Sequence, residues 1–375
     1  MQVSPVSSRW CDRASTDRVP VYDWYRTAIV CYAYLEDVAT LEEPHGPDVF
    51  TESRWFRRGW TLQELLGPRN VFFYGQRWAK LGEKLSLIEL LEAASGISRD
   101  YLTGERSIGS ASIAKRTSWA ARRVTTREED IAYFLLGIFD VNMPMLYGEG
   151  SKAFIRLLEE IMRGDDDQTL FAWKESSQNA QIPDQCGLLA PSPAAFAQTG
   201  DMVPYAMPLS IPQRGRTSLG PTTQRPVSHT MMNKGLYIEL NATSDVTALQ
   251  PENHHSADFR AISAVLDCTR EGEDGYFAIA LRPTGESVDH FARWKADELM
   301  QVGAPPDFKR SIYVRQRETG MKRATAPFHY IQFKGWYVEN LRTRYDELDI
   351  VETAMSLNRQ GNEATYYDKI GDQGP

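Results

Sequence analysis

The sequence is poor in the residues that build cross-linked and metal-centred proteins. Its 375 residues contain four cysteines and six histidines. No two cysteines stand in a Cys-x-x-Cys pair, and the adjacent histidines His254 and His255 lie in a polar stretch. Scattered thiols are typical of a reducing compartment, and no spacing here matches a zinc site. The pattern predicts neither a disulfide framework nor a bound metal.

Long apolar runs are also missing. No stretch approaches the roughly 20 apolar residues that a membrane-spanning helix needs, and the amino terminus lacks the apolar core of a signal peptide. The chain has 42 basic and 50 acidic residues, which gives a formal net charge of −8. An acidic balance argues against general nucleic-acid binding. We therefore expect a cytoplasmic protein with no membrane and no nucleic-acid partner.

The first segment, residues 1–76, carries strand and helix signals in alternation. Val30–Leu35 and Val71–Tyr74 are rich in β-branched and aromatic residues, as buried strands are. Between them, Trp55 to Leu66 has a helical pattern that ends at Gly67. Strand, helix and strand joined by short connections favour a βαβ unit, in which Val30–Leu35 and Val71–Tyr74 are neighbouring parallel strands.

The second segment, residues 77–174, has a helical period. Thr126 and Glu129 have the spacing of a capping box, and an apolar stripe from Phe154 to Ile161 marks a helix that ends at Gly164. This segment is predicted to be a helical extension.

The third segment, residues 175–375, has short alternating or apolar runs that Gly- and Pro-rich connections separate. The runs are Gly187–Pro191, Gly235–Leu240, Ala261–Cys268, Tyr276–Leu281, Ser311–Arg315 and Tyr330–Phe333. Such spacing is typical of an antiparallel sandwich or barrel. The overall expectation is an α+β protein with a partial α/β unit, a helical extension and a β-rich, sandwich- or barrel-like domain at the carboxyl end.

Residues 53–66, which read SRWFRRGWTLQELL, are the most informative part of the chain. At helical spacing, Trp60 and Glu64 lie one turn apart on the same face. The neighbouring leucines supply an apolar environment. A carboxylate beside an indole in an apolar niche has a raised pKa, or is held ready to face a cationic sugar.

This segment closely resembles the last signature block of the fungal heterokaryon-incompatibility (HET) domain. Residues 118–150 are similar to the helical region that follows that block, and residues 24–35 are similar to the helix and strand before it. The resemblance covers about residues 20–175 and implies nonself recognition linked to programmed cell death. The strand blocks that open a complete HET domain do not occur before Trp24, so we expect an incomplete domain that is inactive alone.

HET domains are related to the TIR fold, and several TIR domains cleave NAD through a glutamate in a Trp-x-x-x-Glu pattern. Residues 60–64 have that pattern. The resemblance implies Glu64 as the catalytic residue, Trp60 in support, and NAD as the substrate of a TIR-type glycohydrolase. No cofactor is firmly indicated.

Two alternatives compete with catalysis. In the first, Glu64 caps a helix or pairs with Arg57, Arg58 or Arg69, and Trp60 is a core residue. In the second, the chain is a non-enzymatic interaction module whose β domain and helices bind a protein partner or a full-length relative. Self-association is also expected, because unpaired strand edges template association.

Overall fold

The structure is a computed structural model of the chain. It describes residues 21–42, 45–175, 185–205, 229–243, 261–284, 289–303 and 309–316, together with the strands at 332–333, 336–337, 353–357 and 364–368. The chain divides into two compact units, Met1–Lys322 and Arg323–Pro375. In the second unit, Gln332–Phe333 pairs with Trp336–Tyr337, and Thr353–Leu357 pairs with Ala364–Asp368, both antiparallel.

The first half of the first unit contains a small sheet and short helices. The strands are β1 (Cys31–Tyr34), β2 (Val71–Tyr74) and β3 (Lys80–Glu83). The helices are α1 (Val21–Thr27), α2 (Gly46–Thr51), α3 (Thr61–Leu66), α4 (Ile88–Ser95), α5 (Arg99–Thr103), α6 (Ile113–Ser118), α7 (Asp130–Tyr133), α8 (Leu136–Phe139) and α9 (Lys152–Gly164).

The three strands lie in the order β1-β2-β3. β1 and β2 are parallel with Cys31 opposite Val71, and β3 is antiparallel to β2. The predicted parallel pair is therefore confirmed. One face of this sheet is buried: Phe73 of β2 makes edge-to-face ring contacts with Phe50 and Trp55.

The helix predicted from Trp55 to Leu66 is wrong in its first half. Residues Arg54–Arg57 form a 3₁₀ turn, and α3 begins only at Thr61. Between them the backbone pairs with another segment: the Gly59 amide donates to the Val124 carbonyl (3.0 Å), and the Val124 amide donates to the Arg57 carbonyl (2.7 Å). These groups are no longer available for helical hydrogen bonds.

The helical region confirms one expectation and overturns another. The apolar stripe of α9 is buried, and this helix ends at Gly164. The capping box of Thr126 and Glu129 does not form. The Glu129 carboxylate instead accepts hydrogen bonds from the amides of Gly148 (2.7 Å) and Gly150 (3.1 Å). Through these two hydrogen bonds, Glu129 stabilises the loop that precedes α9.

The second half of the first unit is β-rich. Its strands are β4 (Met202–Pro204), β5 (Thr230–Met232), β6 (Gly235–Thr243), β7 (Ile262–Leu266), β8 (Cys268–Arg270), β9 (Tyr276–Pro283), β10 (His290–Trp294), β11 (Met300–Val302) and β12 (Lys309–Val314). Five of them close on themselves in the order β10-β12-β6-β7-β9, with β9 pairing back to β10. All of these pairs are antiparallel except β10 with β12.

The α+β class and the barrel-like character of the carboxyl-terminal region are thus confirmed. One predicted strand is wrong, because residues Gly187–Pro191 do not form a strand. Its polar groups bond side chains instead of a neighbouring strand: the Leu188 carbonyl accepts from Trp173 Nε1 (2.7 Å), and the Leu189 amide donates to Gln316 Oε1 (3.0 Å). The other five runs contain strands, although the start of Tyr330–Phe333 and much of the chain near it lie outside the described residues.

One hydrophobic cluster runs through the first unit, from Ala33 in β1 to Val314 in β12. The helical and β-rich parts therefore share a core. The predicted boundaries at residues 76 and 174 stay predictions.

Candidate functional site

Glu64 lies on α3 and is half-buried. The Tyr25 hydroxyl of α1 donates a hydrogen bond to Glu64 Oε1 at 3.3 Å. Among the residues that the structure describes, Glu64 forms no ion pair within 4 Å, and so none with Arg57, Arg58 or Arg69. Its direct polar partner is a tyrosine from a different helix.

Trp60 immediately precedes α3 and has helical backbone angles. Its contacts go elsewhere: the indole Nε1 donates to Asp130 Oδ2 at 3.4 Å, and the ring packs edge-on against Phe134 at 6.4 Å. Trp60 thus fixes α3 against α7, whereas Glu64 faces α1. The structure does not bring these two side chains together as a pair.

Helix α1 covers α3 because two glycines allow a close approach. A Cβ on Gly67 would lie 2.8 Å from Tyr25 Cβ, and a Cβ on Gly137 would lie 2.1 Å from Tyr22 Cβ. Only glycine fits at such distances. α1 therefore packs into the space that the absent side chains of Gly67 and Gly137 leave, and Tyr25 reaches Glu64.

Burial raises the pKa of Glu64 above its ordinary value. The hydrogen bond from Tyr25 and the positive charges of Arg58 and Arg123 act in the opposite direction but do not cancel the effect of burial. Burial and the nearby Glu64 charge also raise the pKa of Tyr25, which therefore remains a neutral donor at physiological pH. The expectation of a carboxyl group with a raised pKa in an apolar niche has a physical basis here.

Arg123 is the buried cation behind this helix. Its Nη1 donates to the Arg58 carbonyl (2.8 Å) and to Thr61 Oγ1 (2.9 Å), and its Nε donates to the Trp119 carbonyl (3.1 Å). Burial lowers its pKa to about 9, although the Glu64 charge raises it. Arg123 therefore ties the start of α3 to the end of α6.

A thiol and an amine complete the ionisable cluster. Burial, with the Glu64 charge, raises the pKa of Cys31 to about 12, so this thiol is a poor nucleophile at neutral pH. Lys84 is 2% exposed and donates from Nζ to the Pro68 carbonyl at 2.9 Å. Burial lowers the pKa of Lys84 to about 8.

Two clefts in the described part of the chain lie away from Glu64. One, of about 520 Å³, lies beside the end of α9 and contains His229. The other, of about 640 Å³, runs between α4, α6 and residues 197–201 and reaches Arg123. No group of three or more His, Cys, Asp or Glu side chains that could hold a metal occurs among the described residues.

Within the same residues, no helix combines the length and the apolar character that crossing a membrane requires.

The sequence analysis did not predict the partner of Glu64, because Tyr25 lies 39 residues from Glu64. The only local signal for that contact was Gly67 at the end of α3.

Fold and site together describe an α+β protein with a small mixed sheet, a covered glutamate and a closed five-stranded sheet. Comparison with known proteins gives two matches. Residues 152–196 match the model of a domain of unknown function (DUF8212). The chain is also similar to vegetative incompatibility protein HET-E-1 of Podospora anserina, with 43% identity over 151 residues.

That alignment covers 39% of this chain and 11% of the relative. The chain thus spans about a tenth of the length of the curated relative that it matches. No solved structure matches.

Proposed function

We propose that this chain acts in fungal nonself recognition, in the incompatibility reaction that leads to programmed cell death. The observation that carries the proposal is the 43% identity over 151 residues with a vegetative incompatibility protein. The resemblance of residues 53–66 to a HET signature and the parallel pair of β1 and β2 beside α3 support a HET-type unit with a TIR-like arrangement.

We further propose that the chain works through protein contacts and not through catalysis at Glu64. Its carboxylate is engaged by Tyr25 at 3.3 Å, and neither described cleft reaches it. A substrate needs a concave site around the reacting group. On this proposal Glu64 holds α1 on α3, and no cofactor is required.

The test is inducible expression of the chain in Podospora anserina, with the fraction of dying cells measured against an empty vector. The chain is expected to be inactive alone but to bind a full-length relative, and this organism supplies HET-E-1. We therefore expect an increase that Glu64→Gln preserves. A matched variant, Arg293→Ala, removes a fully buried side chain and should abolish the effect through misfolding. Accumulation of the folded chain with no change in cell death would contradict the proposal.

The Trp-x-x-x-Glu pattern of residues 60–64 favours one other candidate function, NAD glycohydrolysis. Breaking the nicotinamide–ribose bond develops positive charge on the ribose, which an ionised carboxylate stabilises. The test is nicotinamide release from NAD by the wild-type chain and by Glu64→Gln. We expect no release from either protein. Release by the wild type that is lost in Glu64→Gln would establish catalysis and overturn the non-catalytic role.

A further inference from the structure

The outward face of the small sheet carries a cluster of five aromatic side chains, of which three are exposed and two, Phe72 and Tyr74, are half-buried. Tyr32 and Tyr34 of β1 alternate with the inward residues, and Phe72 and Tyr74 of β2 lie directly opposite them. Trp78, from the turn between β2 and β3, completes the cluster. We call these five residues the aromatic face.

The rings of the aromatic face form one continuous surface. Tyr32 lies 6.1 Å from Phe72 and 6.0 Å from Tyr74, and Trp78 lies 4.9 Å from Tyr34 and 5.7 Å from Tyr74 between ring centroids. Exposed fractions are 52% for Tyr32, 40% for Tyr34 and 51% for Trp78. Parallel strands are normally covered on both faces, so an aromatic outer face of this kind indicates a contact surface.

The turn that carries Trp78 supports this conclusion. The Ala79 amide donates to the Gln76 carbonyl at 3.1 Å, and the two central residues, Arg77 and Trp78, have φ of +56° and +61°. Two-residue turns with two positive φ angles favour Asn-Gly, since larger residues are strained there. Arg77 and Trp78 therefore have strained backbone conformations in this turn. We attribute the presence of a tryptophan here to the position in which the turn holds its indole ring.

We infer that the aromatic face is the surface through which two copies of this chain associate. The exposed area is on the order of 400 Å² per copy, given ring side chains of about 200 Å² each. Two such faces together bury less than a standard stable interface of about 1,600 Å². The fit is therefore to a weak, concentration-dependent dimer with the same face on both copies.

The charged side chains beside the aromatic face suit contact with a second copy. The chain carries a formal net charge of −8, which opposes association. At the aromatic face, however, Lys80 lies over the Phe72 ring and pairs with Glu83 at 2.9 Å, and Arg77 adds a positive charge. Glu83 and Lys80 lie opposite Phe72 and Tyr74 on the same side of the sheet. In a two-fold contact, the basic side chains of one copy can therefore face Glu83 of the other.

This inference does not depend on the role of Glu64. Cys31, whose thiol senses the Glu64 charge, alternates with Tyr32 along β1, and so points to the other side of the sheet. A chain with an inactive Glu64 would dimerise equally well.

The experiment is sedimentation velocity of the full chain over concentrations from about 5 to 500 µM, in which range a weak dimer dissociates. Two variants remove aromatic rings, Trp78→Gly and Tyr32→Ser. The control, Trp24→Ser, removes an indole that is 55% exposed on α1. We expect a wild-type monomer–dimer equilibrium, at least tenfold weaker association in both aromatic-face variants, and no change in the control.

Unfolding midpoints separate lost association from lost fold. Trp78→Gly relieves a positive φ, so its monomer should melt at the same or a higher temperature than the wild type while it associates less. A wild-type chain that stays monomeric up to about 500 µM would overturn the inference. So would a dimer that both aromatic-face variants leave intact, or one that the Trp24→Ser control weakens equally.

Discussion

Arg293 is the residue whose replacement tests the architecture most directly. Its side chain is 0% exposed, and it is the fourth of the five residues of β10. Nη1 donates to the Phe171 carbonyl at 3.0 Å, Nη2 donates to the Trp173 carbonyl, and the guanidinium lies 3.9 Å from the Trp173 ring centroid. It therefore joins the closed sheet to the segment after α9.

The size of the effect of Arg293→Met follows from three contributions. Two hydrogen bonds from a charged group contribute about 1.5–3 kcal/mol each. A desolvated cation–π contact contributes about 2 kcal/mol. Burial lowers the pKa of Arg293 from 12.5 to about 10, which means that burying the charged form costs about 3 kcal/mol. Replacing the arginine by an uncharged residue removes this cost. The free energy of unfolding should fall by about 2–5 kcal/mol.

Urea denaturation followed by circular dichroism measures this change. Arg54→Met is the matched control, because that side chain is 72% exposed and its ion pairs with Glu36 and Asp37 lie at the surface. The control should change the free energy of unfolding by about 0.5 kcal/mol or less. If Arg293→Met loses less than about 1 kcal/mol, the guanidinium is not the link between the two parts.

Two further changes probe the covering helix and the strained turn. Gly67→Ala should push α1 off α3, because its new methyl group would lie 2.8 Å from Tyr25 Cβ. Hydrogen exchange should accelerate in residues 21–27 and stay slow in α9. Unchanged exchange in α1 would mean that the close approach of α1 does not depend on Gly67. Replacing Arg77 and Trp78 by Asn-Gly should raise the free energy of unfolding by about 1–2 kcal/mol in urea denaturation. A less stable double variant would mean that the ring contacts of Trp78 outweigh its backbone strain.

Local patterns predicted the elements whose stabilising contacts are local or repeat along the chain. The β-branched and aromatic runs of β1 and β2 and the apolar stripe of α9 each occur where expected. β10 was missed because its sequence, His-Phe-Ala-Arg-Trp, places Arg293 at a buried position, and a charged residue there removes the strand signal. The burial of Arg293 depends on carbonyls more than 100 residues away.

The candidate site shows the same limit. Trp60 and Glu64 could be placed one turn apart from spacing alone, yet their partners are set by tertiary packing. Asp130, which accepts from Trp60, lies 70 residues further along the chain, and Tyr25 reaches Glu64 only because Gly67 admits α1. A pattern of five residues holds no information on which helix will cover it.

Lys84 provides a test of the buried cluster through pH. Folding lowers its pKa from 10.5 to about 8, so the unfolded chain binds more protons than the folded chain between these values. The free energy of unfolding due to Lys84 should therefore rise with pH across this window and be constant well below pH 8. Cys31, Cys186 and Cys268 act in the opposite direction at alkaline pH, because burial raises the pKa of each thiol.

The difference in the free energy of unfolding between the wild type and Lys84→Met isolates the contribution of Lys84. The contributions of the three thiols largely cancel in this difference. From about pH 7.5 to about pH 9, the wild type should gain about 1 kcal/mol relative to the variant. Lys80→Met, whose side chain is 53% exposed in the wild type, should follow the wild-type profile. Urea midpoints measured at closely spaced pH values give both differences. Parallel profiles for the wild type and Lys84→Met would mean that the amine keeps its ordinary pKa, and hence that the environment of Lys84 beside Pro68 is open to water.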